Sequence, residues 1–425
     1  MNTSIPHLTV VRDAGEPLGL FFRLGKNDHT TIKQLLSEGR VGFLGTIFDP
    51  RYCEFQQELR KEILLRNLDA ILDPYIMELA TVGGHASSRN SLPWASPHQH
   101  ITSDFAEVKI DTVIEQIVKF VIEKDFNAVL APSHFLSKGP KDPWLAIDRK
   151  LVVKLKQRLD AHGRANVKIY YPLAIPANVF VDPASRAAIK ASLTGLPLNA
   201  IWLRIHSFGS GSSDTKLQGY ISACHDFHSL NIPLVAEKTG VLGLALLAFG
   251  AVAGVESGVG TGEKFDFMRL KRVPSSSSKF AQSVRIYLPD LATFLTRAQA
   301  KEFFEHRGLL QFACRDTNCC RNGFQSMIRD NRRHFAYTRM GEVDLLSRIT
   351  PSVRPVGYLE QILRPATDRL GRALAQDGLS DSIKKKLENS RRIQDGWRAT
   401  LGEMSRDSVT SYSAPIERQV RVGAL

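Results

Sequence analysis

Short apolar runs that end in polar or charged residues recur along this chain, and helical patterns separate them. The clearest are residues 199–205, 232–236 and 251–255, each a largely apolar run with polar residues and a glycine soon after it. An apolar run of this length is typical of a strand that is buried on both faces, as in a parallel sheet. Residues 241–249, between the second and third runs, have a helical pattern. The order of strand, polar tip and helix predicts an α/β fold.

Eight such runs can be counted along the chain. They are residues 18–24, 41–48, 69–72, 127–131, 167–173, 199–205, 232–236 and 251–255. Eight strand–helix units favour a TIM-type (β/α)8 barrel over an open doubly wound sheet, which usually has roughly five to seven strands. A ninth run, residues 284–288, leaves the register open, because it could be the eighth barrel strand with residues 18–24 outside the barrel.

The pattern changes after residue 262. A proline and four serines at 274–278 predict a loop, and the helical patterns that follow surround a cluster of cysteines. Beyond about residue 379 the chain is charged and polar, and its last fifteen residues have the composition of a disordered segment. These changes divide the chain into an N-terminal segment (1–35), the barrel (36–310), a Cys/His-containing helical subdomain (311–378) and a polar C-terminal tail (379–425).

The composition predicts a globular protein with a basic surface. The chain has 425 residues, 43% of them hydrophobic, and no window approaches the roughly 18 consecutive apolar residues that span a bilayer. Its start lacks the basic and apolar regions of a signal peptide, so we expect a cytoplasmic protein without membrane attachment. The formal net charge of +13 is explained either by a polyanionic partner such as nucleic acid or by a general need for solubility.

Two carboxylates at the ends of predicted strands are the candidate catalytic residues. Asp73 directly follows the run at 69–72 and precedes a proline, and Glu256 follows the run at 251–255. The active site of a (β/α)8 barrel lies at the carboxyl ends of its strands, where a carboxylate can serve as general base or nucleophile. For Asp73 a helix N-cap is an equally good interpretation, because Asp before Pro commonly starts a helix.

Neighbouring strand ends carry the candidate substrate-binding residues. Arg204 and His206 lie two positions apart, so their side chains point to the same side of the strand. A buried Arg204 needs a partner, either a core carboxylate or a substrate oxyanion, and His206 at the tip can hydrogen-bond a substrate. Glu237 and Lys238 end the next strand. The lysine suggests Schiff-base chemistry, and a structural ion pair between strand tips is the alternative.

Glycines alternate with other residues after Glu256. Gly258, Gly260 and Gly262 at a strand end can let backbone N–H groups cradle a phosphate, or can form a flexible loop. The spacing is not that of a Walker or dinucleotide-binding motif, because no helical pattern opens directly after it. The long polar passage at residues 81–105 is a further candidate for a lid or a binding loop.

Three of the five cysteines form a cluster. Cys314, Cys319 and Cys320 lie within seven residues, and His334 follows them. In a cytosolic chain such a cluster favours metal or redox chemistry over disulfides. Three thiolates and one imidazole make a tetrahedral zinc site, with Asp316 as a further candidate ligand, although the spacing matches no generic zinc-finger pattern. The alternative is a group of ordinary buried or surface thiols.

Together, the barrel, the strand-end carboxylates and the cysteine cluster resemble the tRNA-guanine transglycosylase superfamily. Its members are TIM barrels with a zinc site of three cysteines and one histidine after the eighth strand. Residues 232–258 look like the family's last two strands, and residues 314–319 (Cys-Arg-Asp-Thr-Asn-Cys) resemble its Cys-x-Cys-x2-Cys run. Asp316 replaces the middle cysteine, only Asp73 remains of the family's Asp-Ser-Gly-Gly motif, and Glu256 is the carboxylate nearest to the family's nucleophilic aspartate.

The resemblance implies an enzyme that exchanges a guanine base in tRNA or DNA for a 7-deazaguanine through a covalent intermediate on a carboxylate. Asp73 and Glu256 would serve as nucleophile and acid/base. Arg204 or His206 would hydrogen-bond the base, and Zn2+ would be structural. Nucleic acid, the free base and a second subunit or partner protein are the implied partners, and the branch of the family that modifies DNA is the closest analogue.

Two other functions remain open at this point. The first is a TIM-barrel lyase or aldolase that uses Lys238 and the glycines on a small phosphorylated or carboxylated substrate. The second is a barrel that binds nucleic acid without catalysis, as part of a larger assembly. Zinc content and nucleic-acid binding favour the transglycosylase or the non-catalytic binder, whereas trapping of a carbonyl substrate on the lysine favours the lyase.

Overall fold

The structure, a computed structural model, describes residues 18–260, 263–273, 284–406 and 411–417. Its centre is a closed barrel of eight parallel strands, in which each strand pairs with the next and the first pairs with the last. The strands are β1 (Gly19–Arg23), β2 (Gly45–Phe48), β3 (Asp69–Leu72), β4 (Ala128–Leu130), β5 (Lys168–Pro176), β6 (Ala200–His206), β7 (Leu234–Glu237) and β8 (Gly254–Gly258). The TIM-type barrel predicted from the sequence is confirmed.

Helices between and after the strands form the outer layer. The helices within residues 18–273 are α1 (His29–Ser37), α2 (Gln57–Leu65), α3 (Ile76–Leu79), α4 (Val82–His85), α5 (Glu107–Glu123), α6 (Pro143–Ala161), α7 (Ala177–Val181), α8 (Pro183–Leu193), α9 (Asp214–Phe227), α10 (Leu242–Ala248) and α11 (Phe267–Leu270). The longer ones bury an apolar stripe against the barrel, as α5 does with Ile110, Ile114, Ile117 and Val121. Burial at this 3–4-residue spacing is what an amphipathic helix provides.

The first barrel strand and the ninth apolar run settle the register that the sequence leaves open. β1 pairs in parallel with both β2 and β8, so it closes the barrel. The boundary at residue 36 is therefore wrong, because it places a barrel strand in the N-terminal segment. The ninth run forms β9 (Arg285–Leu288), which pairs antiparallel with β10 (Thr293–Thr296) outside the barrel.

A second hydrophobic core lies beyond the barrel. The β9–β10 hairpin shares this core with the cysteine segment and with residues of α12 (Arg297–Glu305), α13 (Phe324–Arg329), α16 (Arg364–Leu374) and α17 (Asp381–Met404). Two further helices, α14 (Asn331–Ser347) and α15 (Arg354–Tyr358), lie between α13 and α16 in the chain and bury Phe335, Met340 and Tyr358 in the barrel's own core. The predicted helical subdomain is present, but it begins near residue 284 rather than 311, because the hairpin belongs to its core.

The predicted polar tail is also corrected, because most of it is a packed helix. α17 is 24 residues long and buries Ile383 and Leu387 in the second core. Further along, Trp397 and Leu401 pack against the barrel's own core, and the indole N–H of Trp397 donates to the carbonyl of Ser212 at 2.9 Å. α17 therefore ties the subdomain to the barrel instead of extending into solvent.

The segment at 411–417 closes the amino-terminal end of the barrel. The side chain of Ile416 enters the barrel interior, and the absence of a Cβ at Gly19 and Gly254 leaves room for it, since a Cβ at either would lie 2.7 Å from Ile416 Cδ1. Residues 418–425, the rest of the segment predicted to be disordered, lie outside the described residues. Within the described ranges, no helix combines the length and apolar character that a membrane span requires.

Candidate active site at the carboxyl ends of the strands

Five barrel strands turn a charged side chain toward the barrel axis at their carboxyl ends. Each charged residue stands two positions after a residue of the barrel interior, and side chains two apart on a strand point the same way. The pairs are Phe21 and Arg23, Ile71 and Asp73, Trp202 and Arg204, Val235 and Glu237, and Gly254 and Glu256. The apolar interior of the barrel is thus capped by a single layer of charge.

Arg23 is the centre of this layer. Its Nη1 donates to Asp73 Oδ2 at 2.6 Å, Nη2 lies 3.4 Å from Glu237 Oε2, and Nε lies 3.3 Å from Glu256 Oε1. The side chain of Arg23 is 10% exposed, whereas those of the carboxylates are at most 4% exposed. One guanidinium therefore faces three buried carboxylates, an arrangement that needs further positive charge nearby.

Arg204 supplies part of that positive charge from the side of the layer that faces the barrel interior. Its Nε donates to Glu237 Oε2 at 2.9 Å, and its Nη2 donates to Asp73 Oδ2 at 3.2 Å. The guanidinium is buried and does not line the cavity described below, so its partners are core carboxylates, one of the two alternatives that the sequence leaves open.

The two arginines set the charge state of Asp73 and Glu237. Burial acts to raise the pKa of each carboxyl, but Arg23 and Arg204 outweigh it and hold both pKa values below the ordinary range. Asp73 also accepts a hydrogen bond from the backbone N–H of Tyr75 at 2.9 Å. It is not a helix N-cap, because α3 begins after Tyr75 and no side chain caps it. Asp73 is therefore an ionised carboxylate held by cations.

Glu256 has the opposite electrostatic character. Burial raises its pKa to about 7, Arg23 opposes the shift, and Glu237 adds to it. Neither carboxyl oxygen of Glu256 has a hydrogen-bond partner among the described residues. When the environments of two neighbouring carboxyls drive their pKa values apart, the carboxyl with the raised pKa can act as an acid while the other remains an ionised carboxylate. Asp73 and Glu256 form such a pair on either side of Arg23.

The raised pKa of Glu256 predicts how stability depends on pH. The folded state holds this proton more tightly than the unfolded chain, so the stabilisation is fully present below about pH 4.5 and is lost as pH rises through about 7. A shift of this size corresponds to an upper limit of about 3 kcal/mol. Because Glu256→Gln does not titrate, the wild-type protein should lose stability relative to this variant between pH 5 and 8 in chemical denaturation.

The control for this prediction is Glu360→Gln, which removes a carboxylate from an exposed ion pair with Arg364. Its stability relative to the wild-type protein should vary little over the same pH range. A difference between Glu256→Gln and wild type that stays constant with pH would mean that Glu256 is ionised throughout, and would remove it as a proton donor.

A cavity of about 770 Å³ opens above the charged layer. Arg23 and Lys238 are at its floor, and its walls come from the loops after β1–β3 and β6–β8, from the β9–β10 hairpin and from α17. Nine Lys or Arg residues line it against five Asp or Glu residues. The volume is that of a site for a nucleotide-sized ligand, and the excess of cations favours an anionic one.

The structure separates the predicted substrate-binding residues. Lys238 lines the cavity, and its ammonium lies 3.6 Å from Oε1 of Glu237, its neighbour in the chain. The ion pairs between neighbouring strand tips are made by Glu237, with Arg23 and Arg204. His206 does not line the cavity. Its Nδ1 accepts the backbone N–H of Phe267 at 3.1 Å, and its Nε2 lies 3.3 Å from the Ser207 hydroxyl. The imidazole is thus bonded within the protein.

The predicted glycine cradle is only partly at the cavity. Gly258 lines it, next to Arg23 on the paired strand. Gly260 has a φ of +76° and lies against Asn331 and Arg332 of α14, away from the cavity lining. Gly262 lies outside the described residues.

Several charged residues of the cavity were not predicted, among them Arg23, Glu78 and Arg89. Glu78 is buried, and its Oε2 has no hydrogen-bond partner among the described residues. Arg89 stacks its guanidinium 4.1 Å from the ring centroid of Tyr75. Arg89 comes from the polar passage at 81–105, and its place in the cavity wall agrees with the prediction of a binding loop there.

The cysteine cluster forms a convergent set of donors. The Sγ atoms of Cys314, Cys319 and Cys320 and a ring nitrogen of His334 all lie within 4.8 Å of one another. The Sγ atoms of Cys319 and Cys320 are 3.7 Å apart, and each lies 3.4 Å from His334 Nδ1. Zn–S bonds of about 2.3 Å in a tetrahedron place neighbouring sulfurs about 3.8 Å apart, so the donor set fits a metal of this kind.

The surroundings of His334 fix which nitrogen faces the thiols. Its Nε2 donates a hydrogen bond to the backbone carbonyl of Tyr287 at 3.0 Å. The other ring nitrogen, Nδ1, therefore keeps its lone pair and can act as a metal ligand. Metal-binding histidines are commonly oriented in this way. Asp316 is not in the donor set. Its Oδ1 instead accepts the backbone N–H groups of Asn318 and Cys319, as in a turn, so its prediction as a further ligand is wrong.

Comparison with known proteins does not identify a family for this chain. No protein-family model matches the chain, and no curated protein sequence matches it. Solved structures similar to it include an endo-1,4-beta-xylanase from Penicillium canescens (12% identity, 56% of this chain and 81% of that one, TM-score 0.36) and a 3-dehydroquinate dehydratase from Enterococcus faecalis (10%, 58% and 91%, 0.33). An O-GlcNAc hydrolase from Thermobaculum terrenum covers more of the chain (12%, 92% and 95%, 0.35). Scores this low carry no argument about activity, and the assignment to the (β/α)8 barrels rests on the strand pairing.

Proposed function

We propose that this protein is a base-exchange enzyme of the transglycosylase kind, which replaces a guanine of tRNA or DNA by a 7-deazaguanine. The observation that carries the proposal is the pair of buried carboxyls under a cation-lined cavity, one held ionised and the other with a pKa of about 7. Cleavage of a base–sugar bond needs both a carboxylate that can take the sugar carbon and an acid that can protonate the departing base.

In the first step an oxygen of Asp73 forms a bond to C1′ of the nucleoside while the bond from C1′ to the base nitrogen breaks. The electron pair of that bond goes to the base, and Glu256 gives it a proton, so that the base departs neutral. In the second step the incoming 7-deazaguanine attacks C1′, returns its proton to Glu256 and releases Asp73. The cycle is balanced, because it consumes and supplies no net proton.

Arg23 has a specific part in this scheme. It lines the cavity and lies between the ligand space and Asp73, which is itself buried. Attack on C1′ therefore requires the guanidinium to move off Asp73 when the substrate binds. Its contacts with Glu237 and Glu256, at 3.4 and 3.3 Å, offer the position to which it can withdraw.

The proposal includes a structural zinc ion at the Cys3His cluster. Cys314, Cys319, Cys320 and His334 would hold it through three sulfurs and one imidazole nitrogen. The cluster belongs to the second core and is not among the residues of the cavity, so its contribution is to stability rather than to the chemical step.

The test is incorporation of a labelled 7-deazaguanine into tRNA and into duplex DNA. We expect Asp73→Asn to lower the rate by about 10³-fold or more and Glu256→Gln by about 10²–10⁴-fold, as for loss of a nucleophile and of a general acid. The matched control is Asp368→Asn, which changes an exposed carboxylate next to Arg398 and should leave the rate unchanged.

The other functions give different results in the same assay. Nucleic-acid binding without exchange, unaffected by Asp73→Asn, would indicate a barrel that binds without catalysis. Absence of exchange on both polymers, together with a borohydride-trapped adduct on Lys238, would indicate a lyase or aldolase. Either result would replace the proposal.

A further inference from the structure

The wall of the cavity opposite the strand ends is built by the C-terminal subdomain. α17 contributes Lys386 and Asn389, and β9 contributes Arg285. These residues belong to segments that are distant in sequence from the barrel strands and are positioned by the second core. Lys386, Asn389 and Arg285 together form the cationic wall of the cavity.

Part of the excess of positive charge in the cavity lies at this wall. At the floor, Arg23 is surrounded by three buried carboxylates, and Lys238 is paired with one of them. At the wall, Arg285 Nη1 bonds to Glu263 Oε1 at 2.6 Å. Glu263 is thus the counter-ion of Arg285, and the ammonium of Lys386 adds an unbalanced charge beside it.

Lys386 is held in the wall without a partner of its own. Within the described ranges, no carboxylate forms an ion pair with it, and no hydrogen bond from its ammonium is present. Burial lowers the pKa of Lys386, and the neighbouring Arg285 lowers it further against the effect of Glu263. A bound anion would reduce the electrostatic repulsion between a partly buried ammonium and the guanidinium beside it. Lys and Arg are the residues that bind phosphate.

We propose that Lys386 and Arg285 form a phosphate-binding subsite of the cavity, which holds a phosphate of the nucleotide whose base occupies the space above Arg23. The inference rests on the proposed function for the identity of the ligand as a nucleotide. The phosphate chemistry follows from the wall itself. Asn389, which is exposed at the same wall, adds an amide donor.

The experiment compares guanosine 5′-monophosphate with guanosine in equilibrium binding to the full-length protein. The wild-type protein should bind the monophosphate at least about tenfold more tightly, which is the effect of a hydrogen bond from a charged group. In Lys386→Gln the ratio should fall severalfold, because only Arg285 remains, and in Lys386→Arg, which keeps the charge, it should be retained. The matched control is Lys385→Gln, the same change one residue away on an exposed position of α17 that lines no part of the cavity.

Two results would overturn the subsite. One is a wild-type protein that shows no preference for the monophosphate and no binding of inorganic phosphate. The other is a preference that Lys386→Gln and Lys385→Gln lower equally, which would make it a general effect of net charge.

Failure of the proposed function gives a separate pattern. If the enzyme does not exchange bases, guanosine will not bind, but inorganic phosphate should still bind to the wild-type protein and more weakly to Lys386→Gln. A thermal melt of each variant close to that of the wild type shows that the loss of binding is local.

Discussion

Replacing Arg204 with methionine is expected to lower the free energy of unfolding by about 3–5 kcal/mol at neutral pH. The guanidinium is buried and donates to both Asp73 and Glu237. Its removal leaves two ionised carboxylates with Arg23 as their remaining close guanidinium, and an uncompensated charge in a barrel interior is costly. Urea denaturation followed by circular dichroism measures the change, and the carboxyls should also take up protons at a higher pH than in the wild type.

The controls separate this charge effect from a general loss of packing. Arg364→Met changes an exposed arginine paired with Glu360, and should cost less than about 0.5 kcal/mol. Combining Arg204→Met with Asp73→Asn and Glu237→Gln removes the charges left unpaired, and should recover much of the lost stability. If the triple variant were as unstable as the single one, the role of Arg204 would be packing of its side chain and not neutralisation.

The alternation of side chains along a strand explains how much of the site could be predicted. Arg204, Glu237 and Glu256 stand at the ends of apolar runs. Side chains two residues apart on a strand point the same way, so each of these charged side chains faces the barrel axis, as the interior residue two positions earlier does. Their pairing could not be predicted. Asp73 and Arg204 are 131 residues apart in the chain, and only the closed barrel determines that they are 3.2 Å apart.

Arg23 could have been found by the same reasoning. It is a single charge at the end of the apolar run Gly19–Arg23, just as Arg204 is in its own strand. The sequence leaves open whether this run or the one at 284–288 belongs to the barrel, and the domain boundary at 36 sets it aside. A charged residue at a strand end is itself a reason to place a strand in the barrel, because a buried charge needs partners that only the other strand ends supply.

The C-terminal helix was missed for a different reason. α17 is rich in charged residues, and its buried apolar positions are few: Ile383, Leu387, Trp397 and Leu401. They lie four, ten and four residues apart, so they share one helical face. The overall composition of the segment does not reveal this apolar stripe, so the packing of α17 and the position of Lys386 in the cavity could not be predicted from composition. The helical spacing of the few apolar residues is the signal that distinguishes a packed helix from a polar tail.

The cysteine cluster and the cavity are linked through one strand. His334 Nε2 donates to the carbonyl of Tyr287 on β9, and Asn331 Nδ2 donates to the carbonyl of Arg285 on the same strand at 3.2 Å. Arg285 lines the cavity. The order of the cysteine cluster and the position of the cationic wall thus depend on the same hairpin, although no cluster residue lines the cavity.

We expect the purified protein to contain about one zinc per chain, bound through three Cys and one His. Cys319→Ser should lose the metal and lower the free energy of unfolding by on the order of 5 kcal/mol, because binding of a structural metal is coupled to folding. Metal analysis and denaturation of the same preparations measure both effects. Cys53→Ser is the matched control, since Cys53 is a buried thiol outside the cluster and should keep the metal.

The coupling to the cavity should appear in the same variants. Because the hairpin carries Arg285, loss of the metal should weaken the preference for guanosine 5′-monophosphate even though no cluster residue lines the cavity. Substitution with Co2+ should give the sulfur-to-metal absorption of a thiolate-rich tetrahedral site, and this absorption should change in Cys319→Ser. A wild-type protein that is fully stable and free of metal would instead make the cluster a group of buried thiols. It would also remove the main link between this chain and the transglycosylases.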